Sequence, residues 1–479
     1  MLRSFLQSRL PLCAAMGMFC AAAFFATFAA ASDRECKLEL IRMEAPRPGF
    51  NVPREEHPFR NVTPQRFTLS MGRANAYNPF DKPFKENIKK EPAKYVADAP
   101  FRGVALLAGK TYVFVLDKKS ATSPGFDVLY FDVNGNGDLT DDEAIRAYEQ
   151  PQAEKPEGQR AAQTRLQQSW SYFPRVDLKL DFDGAKVDYS FFFQVFQQQR
   201  MDFSYVMATL TAAAYQRGEA SIDGRRRAVV LLDNNSNGRF DDVFSMPRIP
   251  NVRGRIRPAF GDSVLIGEEQ DAAGGPRPGA AAWNSQYLAK LLILDGKYYD
   301  VTVSTSGDEI AWSPSSLPGG QVVGPRKNCT VMLIGELGCI PLTLRDAQPA
   351  TVPAGQWRVF NYSITDTEWA PPNAEKPADA DAARPRPAPS VVSGWGAAQM
   401  EPIEVRAGET AQMNFGPPYK LALSVYHMPG EARFAMAIQG ETGETVASLS
   451  VNGRRPQKPK LTITDQSGEV VAEGDFEYG

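Results

Sequence analysis

Residues 132–143, which read DVNGNGDLTDDE, combine acids, asparagines and glycines at spacings that suit a bound cation. Oxygen-bearing side chains occupy positions 1, 3 and 5, a glycine occupies position 6, and a glutamate closes the segment at position 12. Ca²⁺ takes roughly six to eight oxygen ligands, and this is the spacing of a calcium loop. We therefore predict a Ca²⁺ site in this segment, the first loop. Its candidate ligands are Asp132, Asn134, Asn136, Asp138 through its backbone carbonyl, Thr140, Asp141 and Glu143.

A second copy of the pattern, DNNSNGRFDDVF, lies at residues 233–244 and is named the second loop. It keeps the acid, asparagines and glycine of the first half but has Phe244 where the first loop has its closing glutamate. If this loop binds Ca²⁺, its closing carboxylate must be Asp241 or Asp242. Its candidate ligands are Asp233, Asn235, Asn237, Arg239 at the position of Asp138, Asp241 and Asp242.

Position 10 is an aspartate in both loops, Asp141 in the first and Asp242 in the second. Two interpretations are open: a loop embedded between strands uses this residue as a ligand, or the aspartate caps the turn that follows. A third applies to each loop as a whole, because asparagine, aspartate and glycine also make ordinary turns between strands. The apolar residue at position 8, Leu139 or Phe240, is expected to anchor its loop to the core.

Alternation of apolar and polar residues dominates the segments around both loops and predicts β-strands. Residues 176–196 and 289–304 form predicted hairpins that turn at Asp-Gly pairs, and the same pattern recurs at 104–117 and 220–233. The best candidate for a short helix is DDEAIRAYEQ, at 141–150. We therefore predict a mainly β fold, made of several antiparallel β-sandwich domains with few short helices.

Both loops are entered directly from an apolar strand, not from a helix. A calcium sensor needs two helices that swing apart, whereas a cation at the end of a strand holds a connection that would otherwise fray. Closing such a loop brings carboxylates together, and the cation relieves their repulsion. The predicted role of Ca²⁺ is therefore structural.

The N-terminus has the features of a secretory signal: Arg3 and Arg9, an apolar run from Leu10 to Phe28, and small residues before a predicted cleavage after Ala31. An uncleaved membrane anchor is the alternative, because the run is long enough to span a bilayer. Loss of this segment removes two arginines and changes the formal charge from −3 to −5. This weak acidity predicts no nucleic-acid partner. We expect a secreted, periplasmic or cell-envelope protein with no membrane span after cleavage.

The length of the mature chain predicts several domains. Besides the signal at 1–31, the predicted regions are 32–165 with the first loop, 166–318 with the second loop, a β-sandwich module at 326–418, and a small β-sandwich at 419–479. Residues 370–389 are rich in proline, alanine and charge. They are predicted to be a disordered insertion in a hairpin of the module, with an interdomain linker as the alternative.

Three cysteines follow the predicted cleavage point. Cys329 and Cys339 flank TVMLIGELG, which predicts a strand, a turn and a second strand. In an oxidising compartment they could form a disulfide across this hairpin, with Cys36 as the odd one out. Two separate buried thiols are the alternative.

The phrases LYFDVNGNGDLTDDE, VVLLDNNSNGRFDD and LLILDGKYYDVTVSTSGDEIAWSP resemble a group of secreted bacterial β-proteins with paired D-x-N-x-N-G calcium loops of EF-hand type. The resemblance covers roughly residues 100–315. It implies calcium binding at the loops and does not imply an activity. Residues 326–418 are similar, in the placement of their turns, to transthyretin-like and carboxypeptidase-regulatory β-sandwich modules, which serve as accessory domains.

The sequence contains no recognisable catalytic constellation. Histidine occurs only at His57 and His427, neither with a companion at zinc-ligand spacing. Phosphate-binding and dinucleotide motifs are also missing from the sequence. We therefore predict a non-enzymatic, secreted calcium-binding β-protein, a structural or binding protein for an extracellular protein or polysaccharide.

Two alternative functions stay open. A carbohydrate- or protein-binding accessory module would present exposed tryptophans beside an acidic loop. The aromatic candidates are Trp170, Tyr172, Phe173, Trp357, Trp369 and Trp395. A carboxylate-dependent hydrolase would need a cleft with two acids that are not metal ligands.

Overall fold

The computed structural model describes residues 34–44, 62–72, 78–149, 167–182, 184–200, 203–246, 256–268, 283–326, 328–346, 348–366 and 388–477. These residues are mainly β, as predicted. The strands up to residue 303 are β1 (Glu35–Lys37), β2 (Glu39–Arg42), β3 (Gln65–Gly72), β4 (Phe101–Leu107), β5 (Lys110–Asp117), β6 (Val128–Phe131), β7 (Ile145–Arg146), β8 (Gln167–Tyr172), β9 (Val176–Phe182), β10 (Ala185–Arg200), β11 (Phe203–Ala212), β12 (Ala214–Ile222), β13 (Arg225–Leu232), β14 (Ser263–Glu268), β15 (Asn284–Tyr287), β16 (Leu291–Leu294) and β17 (Lys297–Val303).

The later strands are β18 (Glu309–Pro314), β19 (Gly319–Val323), β20 (Cys329–Gly335), β21 (Gly338–Leu344), β22 (Ala350–Pro353), β23 (Gly355–Asp366), β24 (Ser390–Trp395), β25 (Ile403–Val405), β26 (Thr410–Gln412), β27 (Lys420–Met428), β28 (Glu431–Gln439), β29 (Thr445–Ser450), β30 (Lys460–Thr464) and β31 (Val470–Asp475). One α-helix, α1 (Asp81–Asn87), lies among the described residues. None of their helical structure is long and apolar enough to cross a membrane.

The chain divides into two compact units. Unit 1 contains Met1–Val243, Gly261–Leu288 and Tyr299–Ser313, and unit 2 contains Phe244–Phe260, Ala289–Tyr298 and Pro314–Gly479. The candidate ligands of both loops therefore lie in unit 1.

Two sheets of unit 1 join strands from both predicted loop regions. One has the order β3-β11-β10-β8, with β9 also paired to β10, and the other has the order β15-β14-β13-β12-β2. β2 and β3 come from the region predicted at 32–165, whereas β8 to β15 come from the region predicted at 166–318. Shared backbone hydrogen bonds make these two regions parts of one unit, which differs from the predicted division.

The predicted hairpins of unit 1 are present. β9 pairs with β10, β4 with β5, and β12 with β13, each in antiparallel register. Ala108-Gly109 and Asp223-Gly224 turn two of them, and all four residues have positive φ. Two successive residues of positive φ give the tight turn whose twist matches that of antiparallel strands.

Phenylalanines pack the sheet β4-β5-β6-β7 against the sheet β3-β11-β10-β8. The ring of Phe114 on β5 lies 4.9 Å from that of Phe67 on β3 and 5.2 Å from that of Phe193 on β10. Phe131 on β6 lies 4.8 Å from Phe191 on β10. All five rings are buried. Because such rings bury large apolar areas in edge-on and offset arrangements, they fix β6, whose last residue precedes the first loop.

The helix predicted for DDEAIRAYEQ is wrong. Residues 141–149 contain strand β7, in which Ile145 pairs with Leu129 on β6. The next residue but one, Ala147, donates its N–H to the carbonyl of Asp127 at 2.9 Å. Neighbouring strands thus satisfy the backbone groups that a helix would pair internally.

Unit 2 contains a large sheet with the order β21-β20-β23-β24-β29-β28-β27 and a three-stranded sheet, β22-β19-β26. Their side chains share one buried cluster around Trp357 on β23, whose indole N–H donates to the carbonyl of Pro353 at 2.9 Å. β29 belongs to the region predicted as a separate sandwich at 419–479, yet it pairs with β24. The sheet therefore continues across the predicted boundary between 418 and 419.

β23 and β24 are antiparallel neighbours in this large sheet. The residues between them consequently connect two strands of one sheet. Of the insertion predicted at 370–389, residues 370–387 lie outside the described residues, as do the predicted signal at 1–31 and Trp369.

Cys329 and Cys339 lie on paired strands but not opposite each other. The register of β20 and β21 pairs Cys329 with Leu344 and Cys339 with Ile334. No disulfide joins them, and both are buried thiols, as is Cys36. Of the two alternatives, separate buried thiols is the correct one.

Candidate metal centres

The first loop connects β6 to β7. Asp132 follows Phe131 directly, and its N–H donates to the carbonyl of Val113 on β5 at 3.0 Å, so sheet hydrogen bonding continues into the loop. Leu139, at position 8, is 1% exposed and belongs to a cluster with Phe84 of α1. The predicted anchoring of this loop to the core is confirmed.

Side chains at positions 1, 3, 5 and 10 of the first loop converge. Asp132 is buried, and its two oxygens accept the N–H groups of Asn136 at 2.9 Å and Gly137 at 3.0 Å. The amide nitrogens of Asn136 and Asn134 lie 2.7 and 3.4 Å from Oδ2 of Asp141. Two carboxylates and two side-chain amides therefore form one cluster.

The second loop repeats this geometry at the end of β13. Asp233 is buried and accepts the N–H groups of Asn237 at 3.2 Å and Gly238 at 2.7 Å. The amide nitrogens of Asn235 and Asn237 lie 2.8 and 2.6 Å from Oδ2 of Asp242. The same four positions come together in both loops, although the loops follow strands of different sheets.

The backbone turns the same way in both loops. At position 4, φ is +71° at Gly135 and +59° at Ser236, and at position 6 it is +82° at both Gly137 and Gly238. A Cβ on Gly137 would also lie only 2.6 Å from the carbonyl oxygen of Asn87. Position 6 needs glycine, as the sequence predicted, because both the left-handed conformation and the close approach disfavour a side chain.

Phe240 anchors the second loop. Its side chain is 1% exposed, and its ring lies 6.4 Å from that of Tyr189 on β10. The loop is also tied to its surroundings through its backbone, because Ala108 donates its N–H to the carbonyl of Asn237 at 2.7 Å. The predicted apolar anchor is confirmed here too.

The side chains of three further candidates in the first loop, Asp138, Thr140 and Glu143, lie outside its cluster. Thr140 donates its hydroxyl to Asp138 at 2.6 Å, and Lys90 lies 3.2 Å from the same carboxylate. These contacts hold the pKa of Asp138 below its usual range. Glu143 is exposed, and no described residue hydrogen-bonds or pairs with its carboxylate. The geometry thus favours Asp141 over Glu143 as the closing carboxylate.

In the second loop, too, only one of the two candidate closing acids faces the asparagines. Arg239 holds the carboxylate of Asp241 through two hydrogen bonds of 2.9 and 2.7 Å. Asp242 faces the two asparagine amides instead. Position 10 therefore faces the two asparagines in both loops, as its interpretation as a ligand requires.

A buried acid that the sequence analysis did not identify, Asp262, holds the second loop. Its two oxygens accept the N–H groups of Asn234 and Asp242, both at 2.9 Å. Because β13 and β14 are antiparallel and pair Leu232 with Ser263, the residue before β14 lies beside the start of the loop. Only strand register brings this acid to the loop, so no local pattern could have revealed it.

In the first loop, Asp142 plays the corresponding role. Its Oδ2 accepts the N–H of Val133 at 3.1 Å. Val133 and Asn234 both stand at position 2 of their loops. Each loop therefore has a further carboxylate that fixes its backbone from outside the cluster.

Burial raises the pKa of these acids. It raises the pKa of Asp233 and of Asp262, and the charge of Asp233 raises that of Asp262 further. Tyr189, which donates its hydroxyl to Asp233 at 2.7 Å, opposes part of this effect. Burial also raises the pKa of Asp132, and raises that of Asp142 to about 6. Negative charge in either loop is costly unless a cation accompanies it.

The donors present in each loop fit a hard cation. Within the described parts of the chain, no group of three or more His, Cys, Asp or Glu side chains is arranged to hold a metal. Each loop instead combines two carboxylates with two asparagines. Each asparagine oxygen accepts one backbone N–H of its loop and has a second lone pair that a cation could use. No described N–H donates to the carbonyl of Asp138 or Arg239 at position 7. Such an oxygen set suits Ca²⁺, whereas zinc prefers nitrogen and sulfur.

The raised pKa of Asp262 predicts how stability depends on pH. In the presence of chelator, the buried carboxyl of Asp262 holds its proton more tightly in the folded state than in the unfolded state. Its contribution to the free energy of unfolding is therefore complete below about pH 4 and is lost as pH rises through the raised pKa. Wild type should therefore lose stability with rising pH relative to Asp262→Asn, which cannot ionise. Urea unfolding at several pH values measures this difference.

Asp181→Asn is the control for this pH prediction. The N–H of Gly184 and the ammonium groups of Lys186 and Lys110 lower the pKa of Asp181 to about 2. Its contribution is therefore present above about pH 4 and is lost as pH falls towards 2. As pH rises, the stability of wild type should fall relative to Asp262→Asn and should rise relative to Asp181→Asn. A difference between wild type and Asp262→Asn that stays constant with pH would refute the assignment of a raised pKa.

Comparison with known proteins identifies no relative of this chain. No protein-family model, no curated protein and no solved structure matches it. The resemblance to secreted β-proteins with paired calcium loops, and that of residues 326–418 to transthyretin-like modules, stay predictions. The function must therefore be inferred from the loops themselves.

Proposed function

We propose that the first and second loops each bind one Ca²⁺ ion, and that the protein is a secreted calcium-binding β-protein in which the metal is structural. The proposal is carried by one observation, the convergence of positions 1, 3, 5 and 10 in both loops. Two turns without a common function would not be expected to share an aspartate at position 10 that contacts the asparagines at positions 3 and 5. A shared ligand accounts for it.

The charge of each cluster supports a divalent cation. Each loop supplies two carboxylates, from Asp132 and Asp141 in the first loop and from Asp233 and Asp242 in the second. Ca²⁺ balances this charge and accepts the mixture of carboxylate, amide and carbonyl oxygens in flexible geometry, whereas Mg²⁺ demands a near-ideal octahedron. The carbonyls of Asp138 and Arg239 would complete the protein ligands on one side.

A structural role follows from what the loops hold together. The second loop accepts N–H groups from Ala108, in the turn after β4, and from Thr63, just before β3, both at 2.7 Å. A cation that orders this loop therefore also orders the ends of three strands. Neither loop joins a pair of helices that could open, which is what a calcium sensor requires.

We also propose an extracellular, periplasmic or cell-envelope location and a structural or binding role there. The apolar, small-residue N-terminus supports export. A calcium-stabilised β-protein suits such a compartment, because a fold that depends on Ca²⁺ needs a steady supply of the ion.

Titration of the chelator-treated protein with CaCl₂, followed by calorimetry, tests the ligand assignment. Wild type should bind two ions. Asp141→Ala should weaken the first site, and Asp242→Ala the second, by roughly a hundredfold or more, because each removes a charged oxygen ligand. The matched controls are Glu143→Ala and Asp241→Ala, acidic residues of the same loops that lie outside the clusters. They should keep both sites.

The control variants decide between the two ligand sets. If Glu143→Ala removed the first site and Asp141→Ala kept it, the loop would close at position 12, as in a helix-loop-helix site. If neither wild type nor any variant took up calcium, both loops would be ordinary turns.

A further inference from the structure

The sheet β3-β11-β10-β8 has one buried face and an outer face that is partly exposed around Phe196, although Phe192 on the same side of β10 is buried. Alternate residues of a strand point to opposite faces. On the inner face, Phe193, Val195, Val206 and Ala208 are at most 2% exposed. The residues between them must therefore lie on the outer face, which the metal loops do not use.

Aromatic rings form a cluster on this outer face. The register pairs Phe196 on β10 with Trp170 on β8, and their ring centroids lie 4.7 Å apart. Tyr172 lies 6.2 Å from Trp170 with its ring plane within 16° of parallel, and Tyr205 on β11 lies 6.3 Å from Phe196. Trp170 is 45% exposed. We name these four residues the aromatic face.

Uncharged polar side chains surround the rings. Gln194 and Gln198 stand on either side of Phe196 along β10, and Gln168 precedes Trp170 on the same face of β8. All three are exposed or half-buried, and no described residue hydrogen-bonds to their amides. The register places two charged residues on this face: Arg66 on β3, at the opposite end of the strand order from β8, and Arg200, four residues along β10 from Phe196. In the register, the polar neighbours of Phe196 and Trp170 along their strands are thus amide donors and acceptors.

We propose that the aromatic face binds a neutral polysaccharide, with Trp170 as its main stacking residue. The face of an aromatic ring carries negative potential, which attracts the polarised C–H groups on one side of a sugar ring. Amides pair with sugar hydroxyls as donors and as acceptors. An aromatic ring flanked by unengaged amides therefore matches both surfaces of a sugar.

The charge and topology of the face favour a neutral polymer. A charged polymer would require a cluster of opposite charge, whereas the two arginines of this face stand apart, Arg66 on β3 and Arg200 at the end of β10. β8 ends the order of its sheet, and along its outer edge Tyr148 donates its N–H to the carbonyl of Tyr172 at 2.8 Å, so the proposed binding surface is the exposed face of the rings and not the strand edge. The proposal is independent of the calcium sites, because none of their ligands lies on this face.

Native affinity electrophoresis of the mature chain tests this proposal. The gels contain hydroxyethylcellulose, arabinoxylan, barley β-glucan or dextran as neutral probes, and alginate as an anionic probe. We expect at least one neutral polymer to retard wild type. Trp170→Ala should weaken that interaction by roughly tenfold, because it removes the exposed stacking surface.

Two further variants keep the test independent of folding. Tyr426→Ala, which removes a 60% exposed ring on β27, is the aromatic control and should be retarded like wild type. Gln198→Ala removes a half-buried amide but no aromatic ring, and it should weaken binding less than Trp170→Ala. Free mobility in all four neutral gels, retardation by alginate alone, or equal retardation of wild type and Trp170→Ala would each overturn the proposal.

Discussion

Saturating Ca²⁺ is expected to raise the free energy of unfolding by about 5 kcal/mol relative to excess chelator. An ion that binds only the folded state stabilises it by about 2.7 kcal/mol when its concentration is a hundredfold above Kd, and two separate sites add. For a unit of this size, the melting temperature should rise by about 10–20 °C. Scanning calorimetry in millimolar CaCl₂ and in chelator measures the difference.

Substitutions at position 1 divide this gain between the loops. Asp132→Ala and Asp233→Ala should each lose about 2.7 kcal/mol of the calcium-dependent stabilisation. The comparison is made between calcium and chelator within each variant, because each aspartate also accepts two backbone N–H groups whose loss weakens the fold. Asp138→Ala is the control and should keep the full gain, since only its backbone carbonyl is a proposed ligand. A wild-type midpoint that calcium does not move would contradict the prediction.

Phe240→Ala is expected to destabilise the protein by about 3–5 kcal/mol in chelator, the usual cost of deleting a buried phenylalanine side chain. The ring is 1% exposed, and a Cβ on Gly307 would lie 2.5 Å from the Cβ of Phe240, so the site is tightly packed. The same change should weaken calcium binding at the second loop, because the anchor holds Asp233 and Asp242 in place. Urea unfolding and calorimetric titration measure the two effects.

Leu139→Ala is the matched change in the first loop. Leu139 occupies position 8 of its loop, as Phe240 does. Its replacement should lower the free energy of unfolding by about 2–5 kcal/mol and should weaken calcium binding only at the first loop. The pair separates anchoring from a general loss of stability, because each variant leaves the other loop intact. Equal weakening of both calcium sites by either variant would argue against local anchoring.

The local features of both loops could be predicted from the sequence. Positions 1, 3, 5 and 6 follow from ligand spacing and from the need for positive φ at Gly137 and Gly238. The anchors Leu139 and Phe240 follow from one apolar residue in an otherwise polar segment. Hairpins with Asp-Gly turns are equally local, because the turn residues and the strand alternation are read from neighbouring positions.

Features that depend on strand register could not be predicted. Asp262 reaches the second loop only because β14 pairs with β13, and the β7 pairing displaces a helix that the local pattern favours. The fact that Asp141 faces the asparagines, whereas Glu143 does not, depends on the direction of the chain after the loop. For the same reason, the pairing of β24 with β29 could not be foreseen, and the predicted boundary at 418 and 419 lies within a sheet.

The most direct test of the account is the number of Ca²⁺ ions that the wild-type chain binds in the calorimetric titration. We predict two ions per chain, with one remaining in Asp141→Ala and one in Asp242→Ala. A folded wild-type chain that binds no Ca²⁺ would contradict the account.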